Sequence, residues 1–268
     1  GINATRLFFF FFNRTLNVVR VQTPTLAMIA DRESAINGFK KEKYFNVHLK
    51  SDGTDAVCEK IRDREEAEKI SRECTGNDAV VSKVTTERKT VNPPRLYDLT
   101  TLQREANRLY GFTAQQTLDY TQSLYEMKLC TYPRTDSCFL TDDMSDTAKF
   151  ITEIVLEKFP HFDNIVLKPD VHRILNSKKV SDHHAIIPTA EIRDTDINAI
   201  PEGERKILCL IANRLLCAVS EPYVYEAVTA DISCSGYYFT CRGQNIITDG
   251  FKGIDTVFKS FQKCSDGT

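Results

Sequence analysis

Between Thr25 and Ile36 the apolar residues Leu26, Met28, Ile29 and Ile36, with Ala27 and Ala30 among them, predict a helix whose first turn suits Pro24. Tyr44–Leu49 is aromatic and β-branched with rough alternation, which predicts a strand, and a polar helix is expected over about 62–72. Ala79–Val91, rich in Val and Thr, predicts a second strand that runs into Asn92-Pro93-Pro94, a boundary because each proline pushes its predecessor out of the helical region. Leu99, Leu102, Ala106 and Leu109 then recur at helical spacing behind the capping-box pattern Thr100-x-x-Gln103, until Gly111 supplies a stop. A second box, Thr113-x-x-Gln116, opens a helix carrying Leu118, Leu124 and Tyr125, so the pair has the outline of a helix-turn-helix unit, an outline that simple packing hairpins share. Ser145–Phe159 is a further helix stopped by Pro160, and Glu204–Val219 is a strongly apolar one preceded by Pro201. Alternation returns at Ala227–Ser233 and Tyr237–Cys241, with turns at Gly236, Gly243 and Gly250.

A helical centre with strand-rich flanks implies an α+β fold in which residues 93–189 are inserted into a β-rich unit made of 44–92 and roughly 190–268. The 268 residues, 41% hydrophobic and 27% charged, suffice for two domains and exclude wholesale disorder. The longest apolar run, Leu7–Phe12, is far shorter than the roughly 20 residues of a membrane span, so a soluble, cytoplasmic protein is expected. The chain opens on Gly1, which reads as a piece of a longer protein. Nine cysteines, odd in number and without a C-x-x-C pair, argue against a structural zinc site and for reduced thiols. The net charge of −2 disfavours a general polyanion binder, but residues 1–50 hold eight basic and three acidic side chains, which permits phosphate contact at one surface.

Chemistry concentrates in two segments. Thr131-Tyr132-Pro133-Arg134-Thr135-Asp136-Ser137 places a phenol, a guanidinium and a carboxylate within five residues, stiffened by proline. Phosphoryl transfer to a phenol needs that set: an attacking oxygen, paired donors on the non-bridging oxygens, and a carboxylate to orient them. A loop tyrosine is more often packing than nucleophile, so these residues need context. Ser181-Asp182-His183-His184-Ala185-Ile186-Ile187-Pro188 is the second segment. Adjacent imidazoles point apart and seldom share a metal, whereas one of them can meet a phosphate while the other packs or faces solvent. Walker-type, G-x-G-x-x-G and H-E-x-x-H motifs are absent from the sequence, which argues against ATP hydrolysis. Asp142-Asp143 and Asp194-x-Asp196 suit turn and helix starts better than a cation, and no metal ligand is assigned.

Taken in order, Arg20-Val21-Gln22-Thr23-Pro24-Thr25-Leu26, Pro93-Pro94 through Leu96-Tyr97-Asp98-Leu99-Thr100 to Glu105-Ala106-Asn107, Gly111-Phe112-Thr113-Ala114, Thr131–Ser137 and Asp182–Thr189 resemble the landmarks of type IA DNA topoisomerases, the histidine motif in its topoisomerase III form. The resemblance covers about 14–250. It implies that Tyr132 attacks one DNA strand to give a 5′-phosphotyrosine, without ATP, that Arg134 stabilises the scissile phosphate, and that Asp136 orients Arg134. His183, rather than His184, matches the phosphate-contacting position. Arg20, Gln22, Thr23, Ser137 and His184 are implied as contacts to single-stranded DNA. The implied architecture is part of a toroid: 1–43 from a single-strand-binding domain, 44–92 with 190–268 as a β-rich arch, and 93–189 as the helical domain that bears the tyrosine.

The family's N-terminal TOPRIM domain, which carries the Mg²⁺ ligands, has no counterpart in these residues, so Mg²⁺ is expected only in the complete enzyme. The chain by itself is expected to be a monomer that does not relax DNA, with Tyr132 exposed and unactivated. Val19 stands where the family has glycine, and the Phe8–Phe12 run has no family counterpart. A different class of function, a non-catalytic single-stranded-DNA-binding or gate module, shares most of these residues. A relaxase-like nuclease would need a histidine-x-histidine metal site, a spacing that His183-His184 lacks.

Overall fold

The computed structural model describes residues 2–14, 21–51 and 53–265, the last three without side chains. Two compact units result, one formed by residues up to 80 with 232–239 and the other by 81–231 with the residues from 240 on. A five-stranded sheet has the order β1-β2-β5-β4-β3, for strands at His48–Ser51, Thr54–Cys58, Ala79–Val91, Tyr223–Cys234 and Tyr237–Thr248 numbered along the chain.

The first unit begins with helices α1 (Ile2–Phe12) and α2 (Gln22–Asn37), neither of which buries a residue among those described. The phenylalanine run is thus helical, a feature its uniform apolarity hid, because a helix with no polar face shows no period. β1 and β2 pair antiparallel in the register His48↔Val57 to Ser51↔Thr54. The expected strand over Tyr44–Leu49 shrinks to a single bridge from Phe45 to Ile61 before β1 starts. Helix α3 (Arg64–Cys74) is capped by Asp63, which accepts from the Glu65 amide at 3.0 Å, and it buries Ala67 and Ile70. At the β4–β5 turn Ser235 and Gly236 both have positive φ, +49° and +84°, the primed-turn geometry that matches strand twist.

The second unit is built around α7 (Glu202–Ala218). Its Ile207, Leu208, Leu210, Ile211, Leu215 and Leu216 are all essentially inaccessible to solvent and meet α4 (Leu99–Tyr110), α5 (Ala114–Glu126), α6 (Ser145–Lys158) and α8 (Gly250–Ser265). A helix apolar around so much of its circumference belongs inside a bundle. Residues beyond 190 therefore build helical core as well as sheet. Helix α8 carries its own period, Phe251, Ile254 and Phe258, of which Ile254 and Phe258 are buried.

Capping follows the sequence at one helix and departs from it at the other. For α5, Thr113 Oγ1 accepts from the Gln116 amide at 3.1 Å and Gln116 Oε1 accepts from the Thr113 amide at 2.9 Å, as the pattern predicts. For α4 the expected Thr100/Gln103 box does not form. Asp98 caps the helix, accepting from the Thr101 amide at 2.7 Å, because an aspartate stood two residues earlier and is a stronger cap than threonine. Gln103 is released to donate to the Ala114 carbonyl at 3.0 Å and so ties α4 to the start of α5. Gly111 closes α4 in the left-handed conformation, as expected.

His161, in the turn after α6, sits among Phe162, Phe159, Phe258 and Phe261, stacked on the last with ring centroids 4.2 Å apart. Its Nε2 is buried and has no hydrogen-bond partner. Burial lowers its pKa from 6.5 to about 4, partly offset by the Asp163 carboxylate. Between those two pH values the unfolded chain holds the extra proton. The stabilisation is complete above pH 6.5 and drains away as pH falls toward 4. Urea denaturation at neutral pH and at a pH near 4.5 should therefore show a larger acid-side loss for the native chain than for His161→Gln, and equal losses would contradict a neutral buried imidazole.

Candidate active site

The two chemistry-bearing segments are far apart in sequence and adjacent in the fold. Helix α5 ends at Glu126 with Met127 as its cap, Lys128 turns the chain with φ of +62°, and the strand-like run 129–131 is laid against 185–189. The Thr189 amide donates to the Leu129 carbonyl at 3.1 Å, the Thr131 amide to the Ile187 carbonyl at 3.0 Å, and the Ala185 amide to the Phe139 carbonyl at 2.9 Å. Threonine hydroxyls fill the gaps between these bonds. Thr131 Oγ1 donates to the Ala185 carbonyl and accepts from the Ile187 amide, both at 3.0 Å. Thr135 Oγ1 donates to the His183 carbonyl at 2.7 Å. Beneath them Leu129, Cys130, Ala185, Ile186 and Ile187 are buried in the helical core, so both loops are rooted at their apolar ends.

Tyr132 and His183 emerge side by side from this pairing, with ring centroids 4.4 Å apart and planes inclined at 47°. Tyr125, from α5, packs edge-on against Tyr132 at 5.4 Å. Tyr132 is half-buried between these two rings rather than exposed as expected. Arg134 is exposed, and among the described residues its guanidinium has no ion-pair partner. Asp136 does not orient it: the carboxylate accepts from Ser181 Oγ at 3.0 Å, across the two loops. Thr135 explains the difference, since its buried side chain is tied to the 183 carbonyl and leaves its two neighbours on the exposed side, where Asp136 meets Ser181.

Ser137 is 4% exposed and its hydroxyl is used inside the protein, donating to the Lys179 carbonyl at 3.0 Å and accepting from the Phe139 amide at 3.1 Å. It is a loop tether rather than a surface contact. His184 is half-buried with Nδ1 2.9 Å from the Ala185 carbonyl, while His183 is exposed and faces the tyrosine. Gln22 and Thr23 lie exposed at the start of α2, in the first unit, and Arg20 falls outside the described residues.

Several supports of the site were not singled out from the sequence. Tyr97 is buried, its backbone bridges Ile186, and its hydroxyl accepts from Arg214 at 2.9 Å. Burial raises the Tyr97 pKa well above that of a free phenol, against the opposing pull of Arg214, so this tyrosine stays protonated. Cys130, two residues before Tyr132, is pushed up to about 12 by burial and stays a protonated thiol. Arg95 and Lys179 lie over the Phe139 ring at 5.2 and 5.0 Å, which sets two cations beside the same loop. The signal for Tyr125 and Thr131 was visible only as helix and motif membership, because their role depends on what the fold sets opposite them.

The Asp136 carboxylate is already engaged by Ser181, and among the described residues no group of three His, Cys, Asp or Glu side chains gathers to hold a cation. Asp196 caps the turn at 197–199, accepting from the Asn198 amide at 2.9 Å. These residues do not form an oxygen cage for Mg²⁺. A cavity of about 580 Å³ opens elsewhere in the second unit, bordered by His161, Arg205 and Phe261, and shares no residue with the two loops.

The family described as DNA topoisomerase matches residues 1–265. The chain belongs to the DNA topoisomerase family. Among relatives, the DNA topoisomerase 3 of Bacillus licheniformis is 39% identical over 267 residues, covering 95% of this chain and 36% of that protein. The DNA topoisomerase 3 of Bacillus subtilis is 36% identical over 266 residues, with the same coverage. A solved structure of full-length topoisomerase I from Thermotoga maritima superposes with a TM-score of 0.69 at 25% identity, covering 95% of this chain and 43% of that one. The type IA resemblance and its topoisomerase III character stand, as does the α+β class. This topoisomerase chain spans little more than a third of the length of the curated relatives it matches.

The loop pairing makes a local prediction. Thr131→Val keeps the side-chain shape but leaves the buried Ile187 amide without its acceptor, which should cost about 1–3 kcal/mol and lower the melting temperature by several degrees. Thr131→Ser should retain most of the native stability. Equal melting temperatures for the valine and serine variants would show that the hydroxyl does not hold the loops together.

Proposed function

We propose that this chain is the tyrosine-bearing part of an ATP-independent type IA topoisomerase, an isomerase that cuts one DNA strand, passes another through the gap and reseals it. The observation that carries the reading is the packing of His183 against Tyr132, with Arg134 exposed on the same loop and family membership giving that pair its context. Tyr132 Oη attacks the phosphorus of a single strand, a P–O(Tyr) bond forms, and the P–O3′ bond breaks to leave a 3′-hydroxyl. The phenolic proton leaves as the bond forms, and the departing 3′-oxygen takes one up. Arg134 stabilises charge on the non-bridging oxygens, as a bidentate donor does on a phosphate. His183, beside the attacking ring, donates to the same phosphate. Attack of the 3′-hydroxyl reverses each bond, so the phosphotyrosine stores the energy for resealing and no nucleotide is consumed.

Within this reading, residues 1–43 belong to a single-strand-binding region that Arg20, Gln22 and Thr23 help to form, 44–92 with 190–268 form the arch, and 93–189 carry the tyrosine. The substrate is DNA in the cytoplasm and the working unit a monomer. Mg²⁺ belongs to the TOPRIM domain of the complete enzyme, and no step above runs through it. No helix among the described residues is long and apolar enough to cross a membrane.

In the complete enzyme Tyr132→Phe should abolish covalent protein–DNA adducts while leaving single-strand affinity nearly unchanged, since one oxygen is lost. Arg134→Ala should slow cleavage by about 10²-fold or more. Persistent adducts in the phenylalanine variant, trapped by denaturant and detected on a gel, would remove Tyr132 from the chemistry.

A further inference from the structure

Two thiols in the first unit face each other with no part in the tyrosine site. Helix α3 ends at Cys74, and β4 ends at Cys234 just before the Ser235-Gly236 turn. Cys74 Sγ lies 3.5 Å from the Cys234 carbonyl oxygen and Cys234 Sγ lies 3.7 Å from the Cys74 carbonyl oxygen, so each thiol reaches across to the other cysteine's backbone. We infer that Cys74 and Cys234 form a redox modification site, a dithiol that a low-molecular-weight disulfide converts to an intramolecular disulfide fastening α3 to the β4–β5 turn.

The juxtaposition does not depend on sulfur. Ser235 Oγ donates to the Glu73 carbonyl at 2.8 Å, Tyr237 Oη donates to the Glu73 carboxylate at 2.7 Å, and Asn77 Nδ2 donates to both the Glu73 carbonyl and Ser235 Oγ, at 2.7 and 3.2 Å. These contacts hold the residues on either side of each cysteine, so the two sulfurs are presented to each other by backbone that is already docked. A disulfide needs that proximity before it can form without moving the chain. Buried single cysteines elsewhere behave differently: Cys130 points at the Thr121 carbonyl and Cys217 at the Phe251 carbonyl, as small apolar side chains with a weak donor do. Cys58, a third sulfur near Cys74, is occupied by the Val47 amide and the Glu59 carbonyl, both at 3.2 Å.

The chemistry balances as two exchanges. Cys74, the more accessible of the pair, attacks one sulfur of the small disulfide as its thiolate, a mixed disulfide forms, and one small thiol leaves. Cys234 then attacks Cys74 Sγ, the Cys74–Cys234 bond forms, and the second small thiol leaves. The two protein thiols lose two electrons and two protons, and the small disulfide gains them. Burial and the neighbouring thiol raise the Cys74 pKa to about 11, so the first step quickens with rising pH and is slow near neutrality. The site therefore answers to sustained oxidation and is fully reduced in its absence.

The test treats the full chain with oxidised glutathione at mildly alkaline pH, blocks remaining thiols by alkylation, and maps peptides without reduction. The expected product is one cross-linked peptide joining Cys74 to Cys234, with a melting temperature several degrees higher that returns to its starting value in dithiothreitol. Cys74→Ser and Cys234→Ser should each lose the cross-link and the shift, and Cys58→Ser should keep both. Because the map of the native chain is decisive by itself, poor folding of a serine variant leaves the test intact. A stable glutathione adduct on Cys74, a cross-link to Cys58, or full alkylation of both cysteines after oxidation would each overturn the inference.

Discussion

Everything at the candidate site depends on the hydrogen-bonded pairing of 129–139 with 183–189. Alone, each loop has no helix or long strand to fix its side chains. Paired, they share backbone bonds at 129–189, 131–187 and 139–185, with Thr131 and Thr135 inserting hydroxyls where the strands diverge. The apolar members of both loops are sealed in the helical core. That arrangement leaves Tyr132 and His183 no independent choice of position, which is what the proposed reading, two groups presented to one phosphate, would require.

The core beneath the pairing explains why it sits where it does. Helix α7 is apolar on most of its surface and can be satisfied only by surrounding helices, so α4, α5, α6 and α8 assemble on it. Helix α5 delivers Leu129 and Tyr132 from its C-terminal end, and Tyr97, held by Arg214 of α7, bridges the opposite loop at Ile186. The guanidinium thus links the most buried helix to the site through one phenol. Two tyrosines of the family motifs thus meet different surroundings: Tyr97 is fixed in its protonated form by burial, and Tyr132 is half-buried beside an imidazole.

Legibility in the sequence followed the range of the interactions. The α5 cap was readable because Thr113 and Gln116 satisfy each other across three residues, and Gly111 because its left-handed turn is a property of one residue. The α4 cap lies two positions before the expected one, since Asp98 is a stronger cap than Thr100 and sits just ahead of it. The uniform phenylalanine run hid α1, whereas α8 was overlooked although Phe251, Ile254 and Phe258 carry a helical period. At the site, the residue types were legible in two separate motifs. Their meeting was not, because it rests on bonds between residues about fifty positions apart. For the same reason the roles of Ser137, tethered inside to Lys179, and Asp136, bonded to Ser181, emerge only when the second loop is in place.

The most direct test of the loop pairing is the proximity of two rings. With centroids 4.4 Å apart, the aromatic protons of Tyr132 and the imidazole protons of His183 should give a strong nuclear Overhauser effect in the free chain, with a weaker one between Tyr132 and Tyr125. Absence of the Tyr132–His183 effect in a folded sample that retains the Tyr132–Tyr125 effect would show that the second loop does not lie against the first, and the account of the site would fail.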